Sequence, residues 1–372
     1  MRSAKFLVLA AALVVAGMGR AASEPKPPVR LAIFGLTHDH VRGFLPALAG
    51  RTDIRLVGIV EANPALIADI SARFHLDPAL FHPTFAALRS ATPVDAVAVF
   101  TSTFDHRRAV EECAPAGVAI MMEKPMAVSR ADAEAMAAAA RRAGVSLIVN
   151  YETTWYPSVH AAFSRVQSGS LGELHKIVVH DGHSGPARIC TPYFLDWLTD
   201  PVLDGGGALM DFGCYGADLV TWLMNGRRPD SVFAVTQNFQ PQAYPKVDDE
   251  ATIILTYPHT QAILQASWNW PAGRKDMEIY GQTAQLHLPD GHALFVRDGD
   301  APEKPADAPA LVAPETDSIS YLVAVARGEI KPSGLSSAET NIVVCEILDA
   351  ARESARTGRR IEISPTSPLF AR

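Results

Sequence analysis

The sequence has few cysteines, no excess of positive charge and no apolar run long enough to cross a membrane. Four cysteines occur among 372 residues, at Cys113, Cys190, Cys214 and Cys345, without a CxxC pair or a zinc-binding Cys/His spacing. We therefore expect small buried thiols rather than a disulfide framework, with a single disulfide left open. The formal net charge of −7 and the lack of a basic, aromatic-rich patch argue against a nucleic-acid partner. Small-molecule chemistry is the class of function that these absences favour.

The N-terminus has the pattern of a secretory signal peptide. Arg2 and Lys5 precede thirteen apolar residues at positions 6–18, and small residues follow at positions 19–23. A membrane-spanning helix needs about 20 apolar residues, so this run is too short to be one. The pattern predicts that residues 1–21 are removed and that the remaining chain is periplasmic or extracellular, with no membrane contact.

Three later segments differ in their apolar pattern. Residues 29–150 alternate short β-branched runs with helical periods, which predicts a Rossmann-like, doubly wound parallel sheet. Residues 151–313 are richer in period-two runs and predict an α+β domain with mostly antiparallel strands. Residues 314–363 have helical periods, and we expect these helices to pack back onto the core. The predicted fold class is α/β, with two domains.

The first strand of this pattern ends in a turn at Gly35, where a dinucleotide-binding fold carries the sequence G-x-G-x-x-G. Thr37 and His40 stand at the second and third glycine positions, so an ordinary βα loop capped by Thr37 is the alternative interpretation. Glu61, at the end of the second strand, can bind both hydroxyls of an adenosine ribose and would repel a 2′-phosphate, which favours NAD over NADP. His38 and His40 have no third ligand nearby in sequence, so no metal site is predicted.

Two other polar groups follow predicted parallel strands at their carboxyl ends, where open α/β sheets bind ligands. Thr101 and Ser102 can contact a cofactor, or they can cap the helix that begins near His106. Pro125 restricts Lys124 to an extended conformation that fixes its ammonium over the sheet edge. That ammonium can hold a substrate hydroxyl or share its proton during hydride transfer.

Three glycines at positions 205–207 precede a predicted helix that carries Asp211, Tyr215 and Asp218 on one face. The alternative is a glycine-capped helix with a solvated acidic face. The acidic residues 248–250 are interpreted as a solvated start of a strand.

Aromatic and histidine side chains near the predicted cleft are the candidate substrate contacts. Tyr151 and Trp155 follow the last parallel strand, and aromatic faces suit sugar rings, although packing between the domains is the alternative. His183 lies near a strand end, where it either carries a proton or belongs to an exposed polar turn.

In their order along the chain, Glu123-Lys124-Pro125 and the later Gly205-Gly206-Gly207 with Asp211 and Tyr215 resemble the Gfo/Idh/MocA family of glucose-fructose oxidoreductases and inositol dehydrogenases. The resemblance covers nearly all of the chain after the signal peptide. It implies a dinucleotide-binding domain, an α+β domain whose large open sheet forms homo-oligomer contacts, and hydride transfer between a nicotinamide and a carbohydrate carbon. Lys124 is then the catalytic lysine, and Asp211 orients the substrate or its partner.

In this resemblance Tyr215 stands where many members have a catalytic histidine, as in the tyrosine-bearing branch. A phenol has a pKa of about 10, so Tyr215 would need the Lys124 ammonium close by to lower its pKa. The cofactor contacts predicted in this way are Gly35, Thr37, His38, Glu61, Thr101, Ser102, His106 and Glu123.

Export bears on how the cofactor is used, because free NAD is scarce outside the cytosol and a non-dissociating NAD would be recycled within each turnover. Two alternatives stay open. One is a glycosidase-like enzyme with tightly bound NAD, which oxidises a sugar carbon, eliminates the leaving group and then returns the hydride. The other is a binding protein that has lost the cofactor, since Thr37 and His40 replace two glycines.

Overall fold

Six strands from the first half of the chain pair in parallel. The computed structural model describes residues 26–363, so the predicted signal peptide lies outside the described residues. The strands are Val29–Phe34 (β1), Ile54–Val60 (β2), Phe81–His82 (β3), Ala96–Val99 (β4), Ala119–Glu123 (β5) and Leu147–Asn150 (β6). Their order in the sheet is β3-β2-β1-β4-β5-β6. The strand order reverses between β1 and β4, and the crevice at such a reversal is where doubly wound sheets bind ligands.

Helices cover both faces of this sheet, which explains why β4 and β5 are buried along their whole length. The helices are Val41–Ala47 (α1), Pro64–Phe74 (α2), Phe85–Ala91 (α3), Asp105–Cys113 (α4) and Arg130–Ala143 (α5). Local sequence sets their ends. In α2, the Asn63 side chain accepts hydrogen bonds from two first-turn amides, Pro64 occupies the first helical position, and His75 ends the helix in a left-handed conformation.

The second half of the chain forms a nine-stranded sheet. Its first part contains Pro157–Gln167 (α6), Leu174–Gly182 (β7), Pro186–Ile189 (α7), Pro192–Leu198 (α8), Ala208–Asp211 (α9) and Gly213–Leu223 (α10). The strands Ser231–Gln237 (β8), Glu250–Thr256 (β9), Gln261–Ser267 (β10), Arg274–Gly281 (β11), Ala284–Leu288 (β12), Leu294–Asp298 (β13) and Lys304–Ala306 (β14) follow. The chain then forms Ser318–Ala326 (α11), Ala338–Thr357 (α12) and Ile361–Glu362 (β15). Short 3-10 turns lie at Pro78–Leu80, Ala114–Ala116, Glu152–Trp155 and Gly334–Ser336.

The strand order of the second sheet is β14-β13-β12-β11-β7-β10-β9-β8-β15, and its pairings are antiparallel except between β7 and β10. The predicted fold class is therefore confirmed. Two local predictions were wrong. The segment expected to be one helix after the glycines is two, α9 and α10, which meet at Phe212. Residues 300–316, whose prolines and acidic residues predict a stiff polar connection, contain the short strand β14.

The C-terminal helices pack against both halves of the chain. Ile319 and Leu322 of α11 join the same buried cluster as Val41 and Phe44 of α1. Helix α12 contacts α5 on one side and α10 and β8 on the other. Within residues 26–363, no helix combines the length and the apolar character that a bilayer-spanning segment needs. The two sheets are thus held together by helices that return from the end of the chain.

A buried carboxyl on α10 predicts how stability depends on pH. Both Asp218 oxygens are buried and have no hydrogen-bond partner among residues 26–363, and burial raises the Asp218 pKa well above its ordinary value of 3.8. The folded chain then holds this proton at pH values where the unfolded chain has released it. Stability therefore falls as the pH rises from 3.8 towards the raised pKa, by up to about 1.4 kcal/mol per pH unit.

We expect Asp218→Asn to remove this contribution to the pH slope, since the amide does not ionise. The free energy of unfolding is measured in urea at pH 5 and pH 7 for both proteins. We expect the value of the variant, relative to that of the native protein, to be higher at pH 7 than at pH 5. An equal difference between variant and native protein at both pH values would contradict this account.

Candidate active site

A buried ion pair lies where the two domains meet. Lys124, which follows β5, is 5% exposed, and Asp211, at the end of α9, is 4% exposed. The Lys124 Nζ donates to Asp211 Oδ1 and, at 3.0 Å, to the Asp211 carbonyl oxygen. The indole Nε1 of Trp268 donates to the other carboxylate oxygen at 2.9 Å. The structure thus brings together the predicted catalytic lysine and aspartate and fixes both groups.

Each member of this pair keeps the other charged. Burial opposes the charged form of Lys124, but the adjacent Asp211 carboxylate outweighs burial and raises the Lys124 pKa. Burial would likewise raise the Asp211 pKa, but Lys124 and then His183 outweigh it, so this pKa is lowered. At neutral pH the pair is an ammonium and a carboxylate, and the ammonium is a proton donor.

Tyr215 lies beside the pair and is 1% exposed. Two ammonium groups contact its ring, with Lys124 Nζ 5.1 Å and Lys275 Nζ 4.8 Å from the centroid. Burial raises the Tyr215 pKa well above its ordinary value, so the expected lowering by Lys124 is wrong for this structure. The physical reason is that the Lys124 ammonium is paired with Asp211 while Tyr215 loses its contact with water. Tyr215 is therefore a neutral phenol.

Charged groups that sequence patterns did not single out complete this region. Lys275 of β11 forms an ion pair with Glu152, and it stands directly opposite Asp181 of the neighbouring strand β7. Asp181 is 2% exposed, and its Oδ1 has no hydrogen-bond partner. These residues are far apart in the chain, and only the register between β7 and β11 brings them together. A charged residue at an inward position of a strand is the one sequence signal that points to them.

A cavity of about 420 Å³ lies beside Phe212 and is lined by Glu152, Tyr156, His183 and Lys275, among other residues. The His183 ring packs edge-on against Phe212, with 4.8 Å between centroids. His183 is thus at the cavity, as predicted for a substrate contact.

The two aromatic residues predicted to contact substrate lie elsewhere. Tyr151 is 0% exposed, its hydroxyl donates to Asn341 at 3.0 Å, and its ring packs edge-on against Tyr215. It therefore supports Tyr215 instead of lining the cleft. The Trp155 indole donates to Asn150 at 3.0 Å and lines a different cavity, next to α1. The Tyr151 side chain therefore packs between the domains, which was the alternative interpretation.

The turn after β1 keeps two features of a dinucleotide site. Gly35 has a φ of +82°, and a Cβ atom there would lie 2.4 Å from Thr101 Cγ2, so only glycine fits this turn. The Glu61 carboxylate lies against the same turn and accepts hydrogen bonds from the amides of Leu36, Ala62 and Asn63 at 2.8–3.0 Å. The tight turn and the carboxylate at the end of β2 fit the ribose end of NAD.

Helix α8 covers the remainder of that turn. The Thr191 hydroxyl and amide both donate to the Asp39 carboxylate at 2.7 Å. The Trp197 indole donates to the Thr37 carbonyl at 3.3 Å. Helix α8 and its N-cap residue thus contact the turn that follows β1 through two side chains.

The other predicted cofactor contacts are engaged within the protein. The Thr101 hydroxyl donates to the Ser102 carbonyl at 3.0 Å, and the Ser102 hydroxyl donates to Asp105 at 3.0 Å. The Ser102 hydroxyl also accepts the Asp105 amide at 3.3 Å, so it contacts the first residue of α4. His106 is 1% exposed, its Nδ1 lies 3.2 Å from the Met126 carbonyl, and burial lowers its pKa to about 4. These contacts place His106 inside the packed core instead of at an open cofactor surface.

Glu123 and the two histidines of the first turn lie together. Glu123 Oε2 is 2.8 Å from His40 Nδ1, and Glu123 Oε1 accepts a hydrogen bond from Asn150 at 2.9 Å. His38 is 1% exposed, with its ring 4.5 Å from that of His40. Sequence reasoning found no third metal ligand beside these two histidines. The structure supplies one in Glu123, which is distant in sequence but lies at the same sheet edge.

Two family models match the chain. One, described as the oxidoreductase family with an NAD-binding Rossmann fold, matches residues 14–151. The other, described as the GFO/IDH/MocA C-terminal domain, matches residues 159–287. The first match contains the parallel sheet, and the second contains β7–β11 and most of β12.

Individual relatives agree with these matches. A trans-1,2-dihydrobenzene-1,2-diol dehydrogenase from Sus scrofa is 29% identical over 211 residues, which cover 57% of this chain and 59% of that enzyme's length. A D-apiose dehydrogenase from Paraburkholderia graminis is 28% identical over 299 residues, which cover 75% of each chain. The fold is also that of the aldose-aldose oxidoreductase from Caulobacter crescentus crystallised with glycerol, with a TM-score of 0.77, 23% identity, and coverage of 90% of this chain and 100% of that one. The chain belongs to the Gfo/Idh/MocA family of oxidoreductases.

Proposed function

We propose that this protein is an exported, NAD-dependent oxidoreductase that transfers a hydride between the nicotinamide and a CH–OH carbon of a sugar or sugar derivative. The observation that carries the proposal is the buried Lys124–Asp211 pair beside Tyr215, at the domain junction and next to a cavity lined by polar groups. The names of the relatives support the substrate class, because each acts on a diol or a sugar. Export rests on the signal-peptide pattern of residues 1–21.

The chain supplies binding and proton handling, and bound NAD would supply the group that accepts or donates the hydride. The turn at Gly35 and the Glu61 carboxylate would hold the ribose end of the cofactor. Lys124 donates a hydrogen bond to the substrate oxygen and stabilises negative charge that develops on it. Asp211 keeps this ammonium charged and aimed.

Tyr215 is the second proton donor in this proposal, which places the chain in the tyrosine-bearing branch. Its phenol is neutral because burial raises its pKa, so it donates a hydrogen bond to the substrate oxygen and is not the base. When a sugar is oxidised, the proton that leaves its hydroxyl would pass to the His183 imidazole at the cavity, which is neutral because burial lowers its pKa. Glu61 supports NAD over NADP, since a second negative charge on the ribose would meet a carboxylate.

A direct test begins with the purified protein denatured and the released small molecules identified by mass spectrometry. In parallel, the absorbance at 340 nm is recorded while sugars are added to the intact protein. The proposal predicts close to one NAD per chain, reduced by at least one sugar. If no nucleotide is released and neither NAD nor NADP is taken up, the protein is a binding protein and the proposal fails.

The proposal includes slow cofactor exchange, because α8 covers the turn. Thr191→Val removes the hydroxyl that donates to Asp39 at 2.7 Å, and Thr191→Ser keeps that hydroxyl. A hydrogen bond to a charged group contributes about 1.5 kcal/mol, so we expect NAD to dissociate about tenfold faster from the valine variant. Dissociation is measured by the loss of bound nucleotide after dilution into an NAD scavenger. Equal rates for the valine, serine and native proteins would show that α8 does not retain the cofactor.

One observation favours a second candidate, a glycosidase-like enzyme in which NAD never leaves. Such a cycle needs an additional acid to protonate the leaving group. Burial raises the Asp181 pKa well above its ordinary value, so this residue is a protonated acid opposite Lys275. Release of a sugar from a glycoside, without added cofactor and without lasting absorbance at 340 nm, would identify this activity.

A further inference from the structure

Three potential metal ligands meet at the carboxyl ends of β1 and β5. His38, His40 and Glu123 each offer one ligand atom, and these atoms lie within 4.8 Å of one another. Two imidazoles and one carboxylate form a donor set that binds zinc and neighbouring first-row divalent ions. His38 and Glu123 are 1% and 3% exposed, so they are built into the protein and are not part of a surface cluster.

An unpartnered nitrogen in this cluster points to a missing ligand. His38 Nε2 is buried and has no hydrogen-bond partner within the described residues. Buried polar atoms almost always have a partner, so this one needs an explanation. The ring cannot simply turn away, because it packs edge-on against Phe194 at 4.6 Å and lies 4.5 Å from the His40 ring.

The tautomer of His38 decides whether its ring can bind a cation. The His40 amide donates to His38 Nδ1 at 3.2 Å, which leaves the ring proton on Nε2. A cation at Nε2 requires the other tautomer and the loss of this one long hydrogen bond.

Outer groups already orient the carboxylate as they do in metal sites. Asn150 donates to Glu123 Oε1 at 2.9 Å, and the Trp155 indole donates to the Asn150 side-chain oxygen at 3.0 Å. This chain of hydrogen bonds leaves Glu123 Oε2 facing His40, 2.8 Å from its Nδ1. Outer-shell partners of this kind fix a ligand's orientation and tune the metal.

A cavity of about 510 Å³ adjoins the cluster between α1, β6 and α11. It is lined by two members of the cluster, His40 and Glu123. Its other charged residues are Asp39, Arg51, Glu152 and Asp317.

We propose that His38, His40 and Glu123 bind one divalent transition-metal ion of the zinc class, with an open coordination position that faces this cavity. Three protein ligands with one open position is the arrangement of zinc ions that bind an exchangeable water or ligand. Lys124, Asp211 and Tyr215 are not ligands, so the site is separate from the proton-handling groups of the proposed oxidoreductase.

The test uses the full chain after signal cleavage, freed of affinity tag and treated with chelator. Zn²⁺ is titrated calorimetrically, and Co²⁺ is followed by its visible absorption, which reports coordination geometry. We expect one ion per chain for the native protein. We also expect at least about a 100-fold loss of affinity in His40→Gln and Glu123→Gln, above the range typical of outer-shell partners.

His175→Gln is the matched control, because His175 is half exposed and lies 4.0 Å from Glu173 in an exposed cluster. It should bind Zn²⁺ like the native protein. Melting of the metal-free variants checks that they fold, and His40 suits this purpose because its side chain is 48% exposed. No binding by the native protein, or unchanged binding in His40→Gln and Glu123→Gln, would overturn the proposal. No nucleotide or sugar is added and turnover is not measured, so a failure of this test is distinguishable from a failure of the proposed redox activity.

Discussion

Replacement of Lys124 by methionine should lower kcat/KM by about 10²–10⁴, the range for loss of one positioned proton donor. The substitution also leaves the Asp211 carboxylate buried without its cation. Removing one partner of a buried pair costs about 3–5 kcal/mol, so the single variant will be less stable than the native protein. Loss of activity in that variant alone would not separate chemistry from folding.

The double variant Lys124→Met with Asp211→Asn separates the two effects. It removes both charges together, and the amide oxygen of the introduced asparagine can still accept a hydrogen bond from the Trp268 indole. We expect its free energy of unfolding to recover most of the loss while its activity stays as low as that of the single variant. Steady-state kinetics and urea unfolding on the same preparations make this comparison. A double variant that turns over within tenfold of the native rate would exclude Lys124 as the proton donor.

Gly207→Ala should lower the stability of the fold strongly. A Cβ atom at Gly207 would lie 1.9 Å from the Asp248 carbonyl oxygen, a backbone atom that cannot move aside. That same carbonyl accepts the Ala208 amide at 3.0 Å, and an Asp248 carboxylate oxygen accepts the Leu209 amide at 2.8 Å. We expect the free energy of unfolding to fall by about 3 kcal/mol or more, at the upper end of the usual cost of overpacking. Activity should fall as well, because α9 carries Asp211.

Gly43→Ala is the matched control for this prediction. Gly43 lies within α1, and a Cβ atom there meets nothing within 4 Å. Alanine in a helix is favoured over glycine by up to about 1 kcal/mol, so this variant should be as stable as the native protein or more so. If both alanine variants unfold at the same urea concentration as the native protein, the close approach at Gly207 is not a determinant of stability.

The fold was predictable because its signals are local. A parallel sheet covered on both faces needs continuous apolar strands, and the sequences of β4 and β5 have this apolar pattern. The antiparallel sheet needs period-two strands, and β9 and β10 show that alternation in their burial. Lys124 was found for a related reason, since it follows a strand whose position the pattern sets, whereas the role of Asp211 came from the resemblance to the family.

The errors arose where distant segments meet. The acidic residues after position 247 were predicted to be solvated, yet Asp249 is 0% exposed and accepts the amides of Phe239 and Gln240. The contact between Glu123 and His40, at 2.8 Å, likewise has no local signal in the sequence. The Tyr215 pKa depends on a balance between burial and the Lys124 charge, which no sequence pattern records. Tertiary contacts decide such features, so they became visible only in the folded chain.

The central claim is hydride transfer between the nicotinamide and a sugar carbon, and isotope transfer measures it most directly. The protein is incubated with a reactive sugar that carries deuterium on its carbons. The nucleotide is then released, and its mass is determined by mass spectrometry. The account predicts one deuterium in the reduced nicotinamide, and transfer at least about 100-fold slower in the double variant of Lys124 and Asp211. Reduced nucleotide that carries no deuterium, or deuterium transfer within tenfold of the native rate in the double variant, would contradict it.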